Sequence, residues 1–176
     1  GSVIGRLKPV SELERPRLRM LIYGPNRSGK TYLACKFDKP LALISLEPSE
    51  GSCQSVNDME GVDFIHIDST EDLYKLIEEL KEDDYYKTVV LDSATSLQDV
   101  VLKELLELDE VPVQLGWGMV SSDQYRMRSE KTKELLRLYL TLNKDVIITS
   151  KERDHNPQRE IVNAKGKKSA DMRTGF

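Results

Sequence analysis

The chain has 176 residues and a formal net charge of -4, a length that suits one α/β domain with a single hydrophobic core. Its 39% hydrophobic and 32% charged residues indicate a globular protein, and the net charge argues against a protein that coats nucleic acid with its whole surface. Because no apolar run reaches the roughly 18 residues of a membrane helix, and Cys35 and Cys53 are the only cysteines, we expect a reducing, cytoplasmic compartment.

The composition divides the chain into three parts. Residues 1–16 are interpreted as an N-terminal extension that begins with a cloning remnant, Gly1-Ser2. Residues 17–154 are interpreted as the core, and residues 155–176 as a basic tail. From Lys151 onward there are seven Lys/Arg and four Asp/Glu, so this end carries +3 while the rest of the chain is near -7. Such an end is either a local phosphate-binding patch or simply a solvated terminus.

The first half of the chain alternates between strand and helix patterns. In chain order, these predict a strand over 17–23, a short helix over 29–37, a strand over 41–46, a loop over 48–61 and a strand over 62–67. The run at 41–46 is almost continuously apolar, as expected for a strand buried on both faces. Residues 69–72 then supply caps for a helix whose apolar face consists of Leu73, Leu76, Ile77 and Leu80.

The second half continues the alternation. It predicts a strand over 87–91, helices over 96–108 and 122–142, a strand over 145–149 and a hairpin around 164–167. Strands that alternate with helices imply crossover connections. The sequence therefore predicts an α/β fold of the P-loop NTPase type, with a mostly parallel sheet and helices on both faces.

A phosphate-binding loop follows the first predicted strand. The pattern G-x-x-x-x-G-K-[ST] is met by Gly24, Gly29, Lys30 and Thr31. Glycines let main-chain N–H groups wrap phosphate oxygens, the lysine can reach the β- and γ-phosphates, and the threonine hydroxyl can ligate Mg²⁺. We therefore predict binding of ATP and Mg²⁺ by Gly24, Pro25, Asn26, Arg27, Ser28, Gly29, Lys30, Thr31 and Tyr32.

Acidic residues at strand ends are the next candidates. Asp92 ends a buried strand pattern, where an acid holds Mg²⁺ in this class of site. Glu47 directly follows the strand at 41–46, so we predict that its carboxylate activates water at the carboxyl edge of the sheet; Glu50 is a competitor. Ser150 and Lys151, after the last strand, reach the same edge and are candidate sensors of the γ-phosphate. Lys30, Glu47 and Asp92 are thus the predicted catalytic residues.

Other motifs are rejected or left open. Residues 58–61 and 143–145 imitate parts of a GTPase, but the first precedes a strand and the second lacks the spacer of the guanine-reading motif. His66 and His155 have no partner at ligand spacing, so zinc is not expected. Cys35 is interpreted as a core residue. Trp117 is either a core residue or a stacking platform for a base.

The stretch from 20 to about 154 resembles the RecA-like core of phage nucleotide-binding proteins, the ATPases linked to single-strand annealing and recombination. The similar features are the phosphate loop, Lys39-Pro40, the strand ending in Glu47, the segment 89–93, Gly116-Trp117-Gly118 and the strand at 147–152. RecA itself places a Gln-type sensor after the final strand, where Ser150 and Lys151 stand here. Since the chain ends soon after that strand, the resemblance leaves open whether a terminal piece is missing.

The resemblance implies a function and its partners. It implies that Glu47 activates water, that copies assemble into a ring or filament with ATP near the subunit interface, and that single-stranded DNA is the partner, in the host cytoplasm if the protein is phage-encoded. DNA would face residues 114–128 and 153–168, with candidate contacts at Arg126, Arg128, Arg159, Lys165, Lys167 and Lys168. Two alternatives stay open, a small-molecule (nucleotide-type) kinase and a nucleotide-gated switch that hydrolyses poorly.

Overall fold

A parallel sheet lies at the centre of the structure. The computed structural model describes residues 2–13, 16–47, 54–108 and 121–152. Five strands, all parallel, lie in the order β1-β5-β4-β2-β3. They are β1 (Arg19–Gly24), β2 (Leu41–Ser45), β3 (Val62–His66), β4 (Thr88–Asp92) and β5 (Asp145–Lys151). The predicted α/β class and the parallel sheet are confirmed.

Four helices of the described residues lie in the connections between strands. They are α1 (Lys30–Ala34), α2 (Thr70–Glu82), α3 (Ala94–Leu108) and α4 (Ser122–Leu140), with α3 and α4 both between β4 and β5. Two single 3-10 turns, Ile4–Arg6 and Val10–Glu12, precede the sheet. Within the described ranges, no helix combines the length and the apolar character that a membrane crossing requires.

The sheet separates two hydrophobic clusters, because successive side chains of a strand point to opposite faces. In β4, Val89 and Leu91 contribute to the larger cluster and Val90 to the smaller one. The larger cluster includes Leu73, Ile77 and Leu80 of α2, with side chains of α3 and α4. The smaller cluster includes Ala34 of α1 and Cys35, which is fully buried as predicted. Helices therefore cover both faces of the sheet.

Local sequence signals fix the beginnings of the long helices. The Ser69 side chain accepts a hydrogen bond from the Asp72 main-chain N–H at 3.2 Å, as the cap predicted for α2 should. At α4, Ser121 and Gln124 form a reciprocal capping box. Both helices begin where an oxygen-bearing side chain satisfies an otherwise unpaired N–H.

Most element boundaries differ from the sequence prediction by one or two residues, and two of the differences have a visible cause. Helix α1 ends at Ala34 instead of residue 37, and the Lys39 ammonium donates to the carbonyls of Cys35 (2.5 Å) and Phe37 (2.9 Å), which satisfies main-chain groups after the helix. Strand β5 continues to Lys151 instead of ending at residue 149, because it remains paired with β1 as far as Gly24. The predicted hairpin at 164–167 lies outside the described residues.

Candidate active site

The loop between β1 and α1 has the backbone that phosphate binding needs. Gly29 has a φ of 83° and Arg27 a φ of 59°, so the loop visits the left-handed region twice within three residues. Glycine adopts that region freely, whereas an arginine there is uncommon and marks a turn under constraint. The Lys30 ammonium donates to the Pro25 carbonyl at 2.5 Å, so the lysine lies folded over its own loop.

Asp92 and Thr31 meet beside this loop. The Thr31 hydroxyl on α1 donates to Asp92 Oδ2 at 2.8 Å, and the Thr149 hydroxyl on β5 donates to Asp92 Oδ1 at 2.7 Å. Asp92 is only 3% exposed. A hydroxyl and a carboxylate are the hard oxygen ligands that Mg²⁺ prefers, so the pair predicted from sequence suits this ion. No group of three or more His, Cys, Asp or Glu residues suited to a metal occurs in the described part of the chain.

Glu47 lies on the same edge, immediately beyond β2. Glu47 is buried, with 8% of its surface exposed. Oε1 accepts hydrogen bonds from the hydroxyls of Ser96 at 2.9 Å and Ser93 at 3.1 Å, while Oε2 accepts one from the Lys151 ammonium at 2.5 Å. A buried carboxylate requires such partners, because burial without them penalises its charge. The predicted base and a predicted sensor therefore form an ion pair.

The start of α3 connects this pair to the end of β5. The Thr95 hydroxyl accepts a hydrogen bond from the main-chain N–H of Lys151 at 3.0 Å and lies 3.4 Å from the Ser150 hydroxyl. The main-chain N–H of Glu152 donates to the Gly24 carbonyl at 2.9 Å. Strand β5 thus ends between the phosphate loop on one side and α3 on the other.

A second acid, Asp99 on α3, lies close enough to Glu47 and Lys151 for their charges to affect its pKa. Partial desolvation raises the pKa of this carboxyl, although the residue keeps one exposed side. The positive charges of Arg128 and Lys151 oppose that rise in pKa, and the negative charge of Glu47 adds to it. The Arg128 guanidinium from α4 also lies 4.9 Å from the centre of the Tyr125 ring. The charge of Arg128 is therefore near enough to α3 to act on Asp99.

The remaining predicted site residues are dispersed. Tyr32 is 44% exposed and carries the Lys36 ammonium 4.5 Å from the centre of its ring. Arg126 is exposed and lies 3.7 Å from Asp123. His66, which was given no site role, is exposed on β3. The predictions that fall outside the described residues are those for Glu50, Trp117, His155, Arg159, Lys165, Lys167 and Lys168.

Three hydroxyl residues of the site were given no role by the sequence patterns: Ser93, Ser96 and Thr149. Ser93 follows Asp92 directly, Ser96 lies on the first turn of α3, and Thr149 precedes the candidate sensors. All three are buried, with Ser93 and Thr149 fully so. Their positions near strand ends could have indicated a role in the site. That signal is weak, because small hydroxyl residues are also common there as helix caps.

The parallel sheet, the left-handed loop between β1 and α1, and the Thr31–Asp92 pair define the chain as an α/β protein of the P-loop, nucleotide-binding type. A family model described as an AAA domain matches residues 17–175. The chain belongs to this family. Membership indicates a nucleotide-binding domain of the ATPase type, for which Mg²⁺ is the usual ion. A search of curated proteins found no match.

Proposed function

We propose that this protein hydrolyses ATP, with Glu47 as the general base and single-stranded DNA as the partner. The observation that carries the hydrolysis is that Glu47 is held beside the Thr31–Asp92 pair at one edge of the sheet. Ser93, adjacent to Asp92 in the chain, donates to the Glu47 carboxylate at 3.1 Å. A general base next to a metal-ion site is the arrangement needed for water to attack a phosphate, because the base activates the water and the ion neutralises charge on the phosphate.

The proposed chemistry assigns each residue a task. Main-chain N–H groups of the loop and the Lys30 ammonium hold the β- and γ-phosphates. Thr31 and Asp92 would hold Mg²⁺, which neutralises charge on the phosphate oxygens. Glu47 takes a proton from water as the water oxygen bonds to the γ-phosphorus and the bond to the β–γ bridging oxygen breaks, releasing ADP and phosphate.

Replacing the loop lysine tests the hydrolysis. Lys30→Ala removes the charge that contacts the β- and γ-phosphates, so we expect hydrolysis to be lost and nucleotide binding to weaken. The fold should survive, because the lysine's recorded partner is the carbonyl of Pro25 in its own loop. Turnover and thermal melting should be measured on the same preparation. A folded variant with near wild-type turnover would contradict the phosphate-loop assignment.

The DNA partner rests on the resemblance and on the distribution of charge. Arg126 lies exposed on the first turns of α4, and the sequence places Arg159, Lys165, Lys167 and Lys168 in a segment with little apolar content. Each contact with a phosphate releases about one counterion, so the logarithm of affinity should fall with the logarithm of salt concentration at a slope of about -0.7 per contact on a single strand.

Fluorescence anisotropy with a labelled oligonucleotide at several salt concentrations measures that slope. Replacing Lys165, Lys167 and Lys168 by alanine should flatten it by about two units if all three engage the strand. An unchanged slope would move the contact to residues 114–128. No salt-dependent binding by the wild type in any nucleotide state would remove DNA from the proposal, and turnover with candidate small acceptors would then test the kinase alternative.

Assembly into a homo-oligomer is a further part of this proposal. The N-terminal extension carries apolar side chains that are 69% to 81% exposed: Val3, Ile4, Leu7, Val10 and Leu13. Scattered apolar residues are normal on a surface, but five in eleven positions form a contiguous segment that a second copy could cover. Sedimentation analysis with and without ATP tests the assembly, and a monomer in every nucleotide state would contradict it.

One observation favours a second candidate, a nucleotide-gated switch with slow hydrolysis. The Lys151 ammonium lies 2.5 Å from Glu47 Oε2, so one oxygen of the proposed base is already engaged. A protein that keeps this pair after ATP binds would hold its nucleotide without cleaving it. Single-turnover hydrolysis compared with ATP binding separates the two candidates, because a switch binds ATP well and cleaves it slowly.

A further inference from the structure

The two oxygens of Glu47 are held by different kinds of group. Lys151, which engages Oε2, is a long and flexible side chain that is 31% exposed. Ser93 and Ser96, which engage Oε1, are buried. Oε2 of the carboxylate is therefore bound by a partly exposed ammonium, and Oε1 by buried hydroxyls.

The hydroxyl protons can be assigned. Each serine has one proton to donate. Ser96 Oγ lies 2.9 Å from Glu47 Oε1, the shorter of the two distances, and donates there. Ser93 Oγ lies 3.1 Å from the same oxygen and 3.2 Å from Ser96 Oγ, so its single proton goes either to the carboxylate or to Ser96. In both arrangements Ser96 donates to Glu47, and Ser93 supports it.

Ser96 has little freedom to leave this position. It is 4% exposed, so its hydroxyl has almost no access to water. Its main-chain N–H donates to Ser93 Oγ at 3.2 Å, and it lies on the first turn of α3, which packs on the sheet. A buried hydroxyl that left Glu47 would lose its hydrogen bond without replacement, which is unfavourable.

Lys151 is in the opposite situation. The Lys151 ammonium has three protons to donate. Its hydrogen-bond partner in the described part of the chain is the Glu47 carboxylate. The γ-phosphate of ATP carries more negative charge than a carboxylate. Because β5 ends beside the phosphate loop, we expect the γ-phosphate of a bound ATP to compete with Glu47 for this ammonium.

We propose that Ser96, supported by Ser93, is the positioning residue that keeps Glu47 in place when Lys151 leaves it for the γ-phosphate. Oε2 is then free to accept a proton from water, while Oε1 stays bound to Ser96. This inference rests on the proposed role of Glu47 in hydrolysis. It adds a residue that acts through Glu47, and it gives the Lys151–Glu47 pair the role of a restraint that ATP releases.

Ser96→Ala tests the proposal. We expect kcat for ATP hydrolysis to fall about tenfold or more, since a small misplacement of a reacting group costs that much. KM should stay near wild type, because the hydroxyl does not contact the nucleotide, and the melting temperature should fall only slightly, because Glu47 keeps its partners Ser93 and Lys151. Ser96→Thr, which keeps a hydroxyl, should recover most of the rate. In a Glu47→Gln background, Ser96→Ala should have no further effect.

Ser45→Ala is the matched control. Ser45 is also fully buried and lies two residues before Glu47, on β2, but its hydroxyl has no hydrogen-bond partner among the described residues. We expect it to leave kcat unchanged. Wild-type turnover in Ser96→Ala, or an equal loss of turnover in both the wild-type and the Glu47→Gln backgrounds, would overturn the positioning role alone. Fast turnover in Glu47→Gln itself would overturn the proposed base and, with it, this inference.

Discussion

Strand β5 has a lysine–carboxylate pair at each end. Lys144, immediately before the strand, lies 2.7 Å from Asp83, and Lys151, its last residue, lies 2.5 Å from Glu47. The Lys144 side chain is 5% exposed and that of Lys151 is 31% exposed. The two pairs look alike in distance, but their surroundings differ.

The difference lies in what the ammonium protons do. Lys144 donates to the Asp83 carboxylate and also to the main-chain carbonyls of Asp83 (2.7 Å) and Tyr86 (2.8 Å), so its three protons are all used. The hydrogen bond from Lys144 holds the pKa of Asp83 below its usual range, against a smaller opposing effect of burial. This lysine ties the loop after α2 to the start of β5.

The Lys151 pair connects the end of β5 to the residue two positions after β2, and no main-chain group is recorded as a partner of this ammonium in the described part of the chain. The Lys151 ammonium donates a hydrogen bond to the Glu47 carboxylate, which also accepts hydrogen bonds from Ser93 and Ser96. A pair whose donors are all satisfied stabilises the fold, whereas a pair with donors to spare can exchange partners when an anion arrives. Lys144 at the amino edge of the sheet therefore has every proton engaged, whereas Lys151 at the carboxyl edge keeps protons that an anion could engage.

The largest expected effect is at the carboxyl edge. Glu47→Gln removes the proposed base but keeps an oxygen for Ser96, so hydrolysis should fall about 100-fold or more while ATP binding persists. Steady-state turnover and a nucleotide-binding titration measure the two effects. If Glu50→Gln has this effect and Glu47→Gln does not, the base is Glu50; if neither does, water is activated elsewhere.

At the amino edge, Lys144→Met should destabilise the fold. The variant removes the ammonium from two main-chain carbonyls and from the Asp83 carboxylate, which keeps its hydrogen bond from the Tyr86 N–H (2.9 Å), at a cost of about 2 kcal/mol. For a chain of this length that corresponds to a fall of about 5 °C in melting temperature. Turnover per folded molecule should not change. Denaturant unfolding measures the cost, and a variant as stable as wild type would contradict the structural role.

Lys151→Met is the same substitution at the other end of β5. We expect kcat to fall about tenfold, because the ammonium no longer contacts the γ-phosphate. The melting temperature should fall less than in Lys144→Met, because the buried Glu47 carboxylate keeps its hydrogen bonds from Ser93 and Ser96. A stability loss equal to that of Lys144→Met, with unchanged kcat, would reverse the roles assigned to the two lysines.

The smallest effect is a pH dependence of the Lys144–Asp83 pair. Because the native pKa of Asp83 is lowered from 3.8, the pair contributes stability at a pH above about 3.8, and that contribution is lost as the pH falls through the lower native pKa. The difference in unfolding free energy between wild type and Lys144→Met should therefore be constant from neutral pH to about pH 4 and shrink below it. Lys75→Met, which breaks an exposed pair with Glu71, is the comparison: its lysine lowers the pKa of Glu71 too, but we expect a smaller change because the pair lies in solvent. A difference independent of pH would contradict the assignment.

The sequence by itself determined the order of the elements, the phosphate loop and the acids at the strand ends. These signals are local: alternation and apolar runs predict strands, a capping serine begins α2 at residue 70, and a glycine-rich loop ending in Lys30 and Thr31 has few other uses. The parallel sheet followed from the alternation, because parallel strands need crossovers. The ends of α1 and β5 were wrong by two or three residues, and several other bounds by one or two.

The tertiary structure decided which polar groups are partners. Ser93 and Ser96 reach Glu47 across 46 and 49 residues of chain, and Lys151 does so across 104. No local pattern encodes such a distance. The strand order β1-β5-β4-β2-β3 brings the ends of β2, β4 and β5 side by side, and burial there removes water as an alternative partner. For the same reason the sequence could not distinguish Lys144 from Lys151, since the number of carbonyls around an ammonium depends on the packing of segments far apart in the chain.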